Sequence, residues 1–203
     1  MTDIATIMRT SPVIPVLVID DASTARATAE ALVRGGLRVL EVTFRTDAAL
    51  DAIAEMKKVD GAIVGAGTVN TPVDVAAARK AGVEFIVSPG LTGAVAEAVM
   101  NAGIPFLPGV ATSSDIMRGL ALGLTHFKFF PATALGGIPA LKALAGPFGQ
   151  ARFCPTGGIS PQTAPDWLAQ PNVLTVGGSW VTPRGADPVE IEERARAAAD
   201  LRV

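Results

Sequence analysis

Short apolar runs and alanine-rich segments alternate regularly along the chain, and this alternation constrains the fold more than any other feature. The apolar runs predict eight β-strands, at Val13–Ile19, Val39–Phe44, Ile63–Val69, Phe85–Pro89, Pro105–Val110, His126–Ala132, Arg152–Gly158 and Leu174–Val181. A helical pattern follows each run, at about 22–34, 47–58, 72–81, 93–102, 113–122, 137–145, 161–169 and 188–200, and another precedes them at 3–10. Because strands that alternate with helices form parallel sheets, these units predict an α/β protein with a (β/α)₈ TIM barrel and a short N-terminal helix. A doubly wound open sheet is the alternative.

Size and composition predict one globular domain over residues 1–203, because no linker or charge run divides the chain. A net charge of −2 without a basic cluster argues against nucleic acid or an anionic membrane as a partner. The single cysteine, Cys154, argues against a disulfide framework, and residues 1–4 lack the pattern of a signal peptide. With no apolar stretch long enough to cross a membrane, the predicted location is the cytoplasm.

One of the five lysines, Lys128, lies inside an aromatic run short enough to be a single strand. Strand alternation directs its neighbours Phe127 and Phe129 toward the helices and Lys128 toward the barrel interior. Burial disfavours the ammonium form, and a free amine in a dry pocket is what a Schiff-base nucleophile needs. The alternative is a strand-end lysine that pairs with a carboxylate. His126 shares this face but lies lower, and we interpret it as a core histidine held by a hydrogen bond.

The second predicted strand carries a polar face made of Glu41, Thr43 and Arg45, opposite Val42 and Phe44. A carboxylate and a guanidinium that point into a barrel are costly without a partner or a use. Arg45 could grip a substrate carboxylate at two points, and Glu41 could act as a general acid or base. Alternatively, Glu41 and Arg45 pair with one another or with Lys128.

Two glycine-rich turns end the last two predicted strands, at Thr156-Gly157-Gly158 and Gly177-Gly178-Ser179. Loops at these positions of a barrel often bind phosphate through backbone N–H groups. Their spacing fits neither a P-loop nor a dinucleotide-binding motif, and close helix packing is the alternative reason for the glycines. One histidine and no cluster of inward carboxylates argue against a transition-metal site, so the sequence predicts neither a metal nor another cofactor.

Six short motifs in order resemble the bacterial 2-keto-3-deoxy-6-phosphogluconate aldolase family, which also acts on 4-hydroxy-2-oxoglutarate. They are Glu41-Val42-Thr43-Phe44-Arg45-Thr46, Gly65-Ala66-Gly67-Thr68, Ser88-Pro89-Gly90, Pro108-Gly109-Val110, Lys128-Phe129-Phe130-Pro131-Ala132 and Pro155-Thr156-Gly157-Gly158. The resemblance covers nearly the whole chain. It implies a metal-free class I aldolase on a (β/α)₈ barrel that assembles as a homotrimer.

The resemblance also implies roles for individual residues. Lys128 matches the lysine that forms a Schiff base with the carbonyl carbon of pyruvate, and Glu41 matches the carboxylate that moves protons. The resemblance implies substrate contacts for the other matching residues. Arg45 and Thr68 match positions that hold the pyruvate carboxylate, and Pro89 matches a residue that lines the pyruvate pocket. Thr156 matches a residue near the aldehyde portion, and the positions that bind the phosphate match Gly157, Gly158, Gly178 and Ser179. Phe44 stands where many relatives carry leucine, but it faces the helices, so no catalytic assignment depends on it.

Three other functions fit parts of this pattern. A 2-keto-3-deoxy-6-phosphogalactonate aldolase shares much of the plan, and the distinction depends on stereochemistry around Thr156. A phosphosugar isomerase or decarboxylase could use Glu41 and Lys128 as an acid–base pair without a covalent intermediate. A non-catalytic phosphometabolite binder would need only the glycine-rich turns.

Overall fold

The strands and helices alternate along the chain as predicted. The computed structural model describes residues 3–201. Outside it lie residues 1, 2, 202 and 203 of the predicted domain, and with them the start of the segment considered for a signal peptide. The strands are β1 Val13–Leu17, β2 Val39–Thr43, β3 Ile63–Gly67, β4 Ile86–Val87, β5 Phe106–Leu107, β6 Gly109–Val110, β7 His126–Phe129, β8 Arg152–Pro155 and β9 Val176–Gly178. The α-helices are α1 Ile4–Thr10, α2 Ala25–Arg34, α3 Ala49–Met56, α4 Pro72–Ala81, α5 Gly93–Ala102, α6 Ser113–Ala121, α7 Gly137–Ala145, α8 Ala164–Leu168 and α9 Pro188–Ala199.

All the strand pairs within the described part of the chain are parallel, which confirms the α/β class. The strands form a six-stranded sheet in the order β5-β4-β3-β2-β1-β9 and a three-stranded sheet in the order β6-β7-β8. The two sheets adjoin at Pro108, which separates β5 from β6 and has no N–H to donate. At the other edge, isolated parallel bridges join Phe153 to Val173 and Thr156 to Gly177.

Most strands end earlier than predicted. The predicted strand at Phe85–Pro89 is reduced to Ile86–Val87, and the one at Pro105–Val110 is divided into β5 and β6. The predicted strand at His126–Ala132 ends at Phe129. In each case the apolar run continues into proline or glycine, which interrupt regular strand pairing.

Two apolar clusters lie on opposite faces of the strands. The larger cluster includes Val42, Phe127 and Phe129 and packs between strands and helices, as predicted for these residues. Phe129 also contacts Trp167 of α8, with ring centroids 6.4 Å apart. The smaller cluster fills the inner face and combines residues of α1, residues of five strands and Phe85, which directly precedes β4. Its members are Ile7, Met8, Ile14, Val39, Phe85, Val87, Leu107 and Cys154. Helix α1 therefore helps to fill the inner face of the sheets.

His126 has the predicted hydrogen bond but lies at the margin of the core instead of inside it. Its Nδ1 lies 3.1 Å from the Thr125 hydroxyl, and its ring is half-buried at the start of β7. Partial burial lowers its pKa, and Arg9 and Arg152 act in the same direction, while Asp3 opposes them. No helix within residues 3–201 is both long enough and apolar enough to span a bilayer.

Candidate active site

Lys128 of β7 and Glu41 of β2 meet on the inner side of the strands. Lys128 Nζ donates a hydrogen bond to Glu41 Oε1 at 3.0 Å, across a sequence separation of 87 residues. Lys128 is 5% exposed and Glu41 is 2% exposed. The Lys128 Nζ also lies 5.4 Å from the centroid of the Phe130 ring, within reach of a cation–π interaction. The pairing of Lys128 with Glu41, one of the predicted alternatives, is therefore present, and the amine has a proton acceptor in direct contact.

The neighbouring strand β3 provides the space that the Glu41 carboxylate occupies. Gly67 faces it so closely that a Cβ atom there would lie 2.3 Å from Glu41 Oε1. Only glycine fits at this distance without displacing the carboxylate. Gly65, the register partner of Glu41, similarly leaves room for the ring of Phe85. These two glycines of the Gly65-Ala66-Gly67-Thr68 motif therefore have a packing role that the sequence alone did not reveal.

On its other side, Lys128 is next to Cys154 of β8, its register partner. The Cys154 Sγ lies 3.8 Å from the Thr156 hydroxyl, which donates to the Cys154 carbonyl at 3.3 Å. Burial raises the pKa of the Cys154 thiol to about 12, with the Lys128 charge opposing the shift and the Glu41 charge adding to it. The thiol therefore stays protonated near neutral pH and is a poor nucleophile, which fits the prediction that Cys154 fills the core.

Arg45, Thr68 and Pro89 lie just beyond the C-terminal ends of three adjacent strands, β2, β3 and β4. Arg45 is exposed because β2 ends at Thr43, and its side chain has no hydrogen bond or ion pair within residues 3–201. Thr68 is half-buried and has a φ of +58°, a left-handed conformation that is strained for a threonine. Such strain persists where the surrounding structure fixes it, and it is concentrated at functional sites. Pro89 is half-buried.

The two glycine-rich turns lie side by side, because the bridge between Thr156 and Gly177 joins the strand ends that precede them. Gly157 and Gly158 have φ values of +102° and +75°, which few other residues adopt. In the described part of the chain, the backbone N–H groups of Gly157, Gly158 and Ser179 donate no hydrogen bond. Unpaired N–H groups in such turns are suited to binding an anion.

Gly178 is buried, and the indole of Trp180 packs against it so closely that a Cβ atom there would lie 2.2 Å from the ring. Trp180 is therefore a packing residue next to the predicted phosphate turn. Over residues 3–201, no three His, Cys, Asp or Glu side chains are grouped so that they could hold a metal ion.

Within a parallel α/β fold, a buried lysine bonded to a carboxylate supplies the two groups that an aldolase of the Schiff-base class requires. The chain belongs to the KDPG and KHG aldolase family, whose family model matches residues 4–196. The resemblance found in the sequence motifs is thereby confirmed.

Named relatives and solved structures agree with this assignment. The chain is 54% identical over 200 residues to a 2-dehydro-3-deoxy-phosphogluconate aldolase of Zymomonas mobilis, covering 98% of this chain and 96% of that protein. A crystal structure of the 2-keto-3-deoxy-6-phosphogluconate aldolase of Zymomonas mobilis with 3-phosphoglycerate superposes with a TM-score of 0.97 at 53% identity, over 98% and 96% of the two chains. The KDPG aldolase of Legionella pneumophila, with pyruvate captured as a covalent carbinolamine, superposes with a TM-score of 0.95 at 44% identity, over 98% of each chain.

Proposed function

We propose that the protein is a class I aldolase that cleaves 2-keto-3-deoxy-6-phosphogluconate to pyruvate and glyceraldehyde 3-phosphate. It also cleaves 4-hydroxy-2-oxoglutarate to pyruvate and glyoxylate. The observation that carries this proposal is the buried contact of 3.0 Å between Lys128 Nζ and Glu41 Oε1. The Legionella pneumophila relative supports it, because a carbinolamine between pyruvate and an amine is the adduct that precedes a Schiff base.

Lys128 supplies the electron sink for the reaction. Its amine adds to the C2 ketone of the substrate, and loss of water gives a protonated imine. When the bond between C3 and C4 breaks, its electron pair moves toward the imine nitrogen and forms an enamine. C4 leaves as the aldehyde.

Glu41 moves the protons that these steps require. Its contact with Lys128 Nζ lets it accept the ammonium proton and release the amine as a nucleophile. Glu41 gives this proton to the C2 hydroxyl of the carbinolamine, which leaves as water, and the carboxylate is restored. It next accepts the proton of the C4 hydroxyl, directly or through a water, as the C3–C4 bond breaks. It then returns a proton to C3 of the enamine, and hydrolysis of the resulting imine releases pyruvate and restores Lys128.

Arg45 and Thr68 hold the pyruvate carboxylate, with Pro89 lining the same pocket. The unpaired guanidinium of Arg45 at the end of β2 supports this role, because it can form two parallel hydrogen bonds to a carboxylate. These contacts persist from substrate to transition state, so their main effect is to orient the ketone toward Lys128.

Thr156 contacts the aldehyde portion of the substrate, and the adjacent turns bind its phosphate through Gly157, Gly158, Gly178 and Ser179. The free N–H groups of Gly157, Gly158 and Ser179 support this assignment. The Zymomonas mobilis structure with 3-phosphoglycerate supports a phosphorylated ligand.

The assembly of the molecule is also part of the proposal. We propose that the two sheets close into one (β/α)₈ barrel within a single domain over residues 1–203. The continuity of β5 with β6 and the bridge between Thr156 and Gly177 support closure. From the family resemblance we propose a cytoplasmic homotrimer. Light scattering that gives 20.7 kDa instead of three times that mass would contradict the trimer.

A substrate comparison tests the proposed function. Pyruvate release is measured at steady state, with lactate dehydrogenase as the coupling enzyme, for the 6-phosphogluconate- and 6-phosphogalactonate-derived keto acids. We expect kcat/KM to be at least about tenfold higher for the gluconate series, because Thr156 contacts the carbon at which the two differ. A preference for the galactonate series would favour the alternative aldolase. No pyruvate from either substrate, with turnover of a pentose or triose phosphate, would favour a non-covalent isomerase or decarboxylase.

A further inference from the structure

A cavity of about 560 Å³ opens beside Ser179, between the end of β1 and the loop that follows β9. Ser179 is one of the proposed phosphate ligands, so this cavity adjoins the proposed phosphate site. Its wall also carries charged side chains, namely Asp20, Asp21 and Arg184. The cavity therefore brings a cation and two carboxylates to the region where the substrate phosphate would bind.

The cation in this wall is only loosely held. Arg184 Nη2 lies 3.6 Å from Asp20 Oδ2, and the two side chains are 82% and 61% exposed. Exposed ion pairs of this kind are weak, and their partners exchange readily. Arg184 can therefore leave Asp20 when a stronger anion enters the cavity.

The carboxylates in the same wall make a cation necessary. Asp21 accepts a hydrogen bond from the Ser23 N–H at 2.9 Å, and hydrogen bonding there lowers its pKa below its ordinary value. Without Arg184, the two carboxylates in this wall would repel a phosphate. The proposed phosphate turns supply only neutral donors, since Gly157, Gly158, Gly178 and Ser179 carry no charge.

We infer that Arg184 is a specificity-determining residue that exchanges Asp20 for the substrate phosphate and selects phosphorylated substrates. This inference rests on the proposed function. The planar guanidinium can donate two hydrogen bonds to phosphate oxygens while the turn N–H groups donate others. The exchange makes Asp20 a competitor of the phosphate for the same guanidinium.

Kinetics with two substrates that differ only in the phosphate test this role. The substrates are 2-keto-3-deoxy-6-phosphogluconate and 2-keto-3-deoxygluconate. For Arg184→Gln we expect KM for the phosphorylated substrate, and Ki for inorganic phosphate, to rise about tenfold. The value of kcat, and kcat/KM for the unphosphorylated substrate, should stay within about twofold of wild type. Asp20→Asn should act in the opposite direction and lower KM for the phosphorylated substrate, because it removes the competitor.

Arg26→Gln is the matched control, because Arg26 is an exposed arginine of α2 that pairs with Glu30 at 3.1 Å. This variant should leave the kinetic constants for both substrates unchanged. An Arg184→Gln protein with wild-type KM and phosphate inhibition would overturn the role of Arg184. An equal fall in kcat/KM for both substrates would also overturn this role, since it would indicate a structural effect. A wild-type protein that cleaves neither keto acid would instead refute the proposed aldolase function, so the two failures are distinguishable.

Discussion

Replacing Lys128 with methionine is expected to lower kcat for aldol cleavage by at least about 10⁴-fold, because the variant has no amine to form the imine. Methionine keeps an unbranched chain in the same apolar environment, so the fold should be retained. The change leaves Glu41 buried without its partner, which should reduce the free energy of unfolding by about 3 kcal/mol. Steady-state cleavage and thermal unfolding measured on the same preparation separate the two effects.

Lys142→Met is the matched control for this variant, since Lys142 is an exposed lysine of α7. It should keep wild-type turnover and wild-type stability. A folded Lys128→Met protein that still cleaves the keto acid at a rate near that of wild type would contradict the covalent mechanism.

Replacing Glu41 with glutamine should lower kcat by about 10²- to 10⁴-fold, because the amide cannot accept or return the proton. Glutamine preserves the size of the side chain beside Gly67 and can still accept a hydrogen bond from Lys128 Nζ. The exchange of the pyruvate methyl protons with deuterium, followed by NMR, reports protonation of the enamine at C3. We expect this exchange to slow together with cleavage.

Glu97→Gln, on the exposed face of α5, controls for the loss of a carboxylate and should leave both rates unchanged. If Glu41→Gln exchanged the methyl protons as fast as wild type while cleavage fell, another group would have to protonate the enamine. Wild-type rates for both reactions would remove Glu41 from the mechanism.

Local sequence signals predicted most of the fold. The helix at 72–81 begins and ends as predicted, because Thr71 and Asp74 form a capping box around Pro72 and Gly82 ends the helix in a left-handed conformation. Strand ends were less predictable. An apolar run in the sequence can extend beyond the end of its strand, because its last residues pack against helices without belonging to the sheet. Phe44, which follows the end of β2, is an example.

The candidate site was predictable residue by residue but not as an arrangement. Strand alternation identified the inward positions of Glu41 and Lys128, yet it could not decide among their possible partners. Their contact depends on how residues 87 positions apart are brought together by the sheets, which no local pattern encodes. Strand alternation also could not predict the direction of the Arg45 side chain, because β2 ends two residues earlier.

Three contributions were missed because their signal exists only in three dimensions. Gly67 looks like any strand glycine until the Glu41 carboxylate is found in the space that a Cβ would fill. Phe130 follows the end of β7, where alternation no longer predicts direction, and its ring faces Lys128 Nζ. Arg184 lies in a loop without a motif, and its proximity to Asp20 appears only in the folded chain.

The central claim is that Lys128 forms an imine with pyruvate, and borohydride reduction tests it most directly. Borohydride converts the imine to a stable secondary amine, which peptide mass spectrometry can locate. We predict that the peptide containing Lys128 gains the mass of one reduced pyruvate adduct, while peptides with the other four lysines remain unmodified. A Lys128 peptide whose mass stays unchanged, or an adduct on another lysine, would contradict the mechanism.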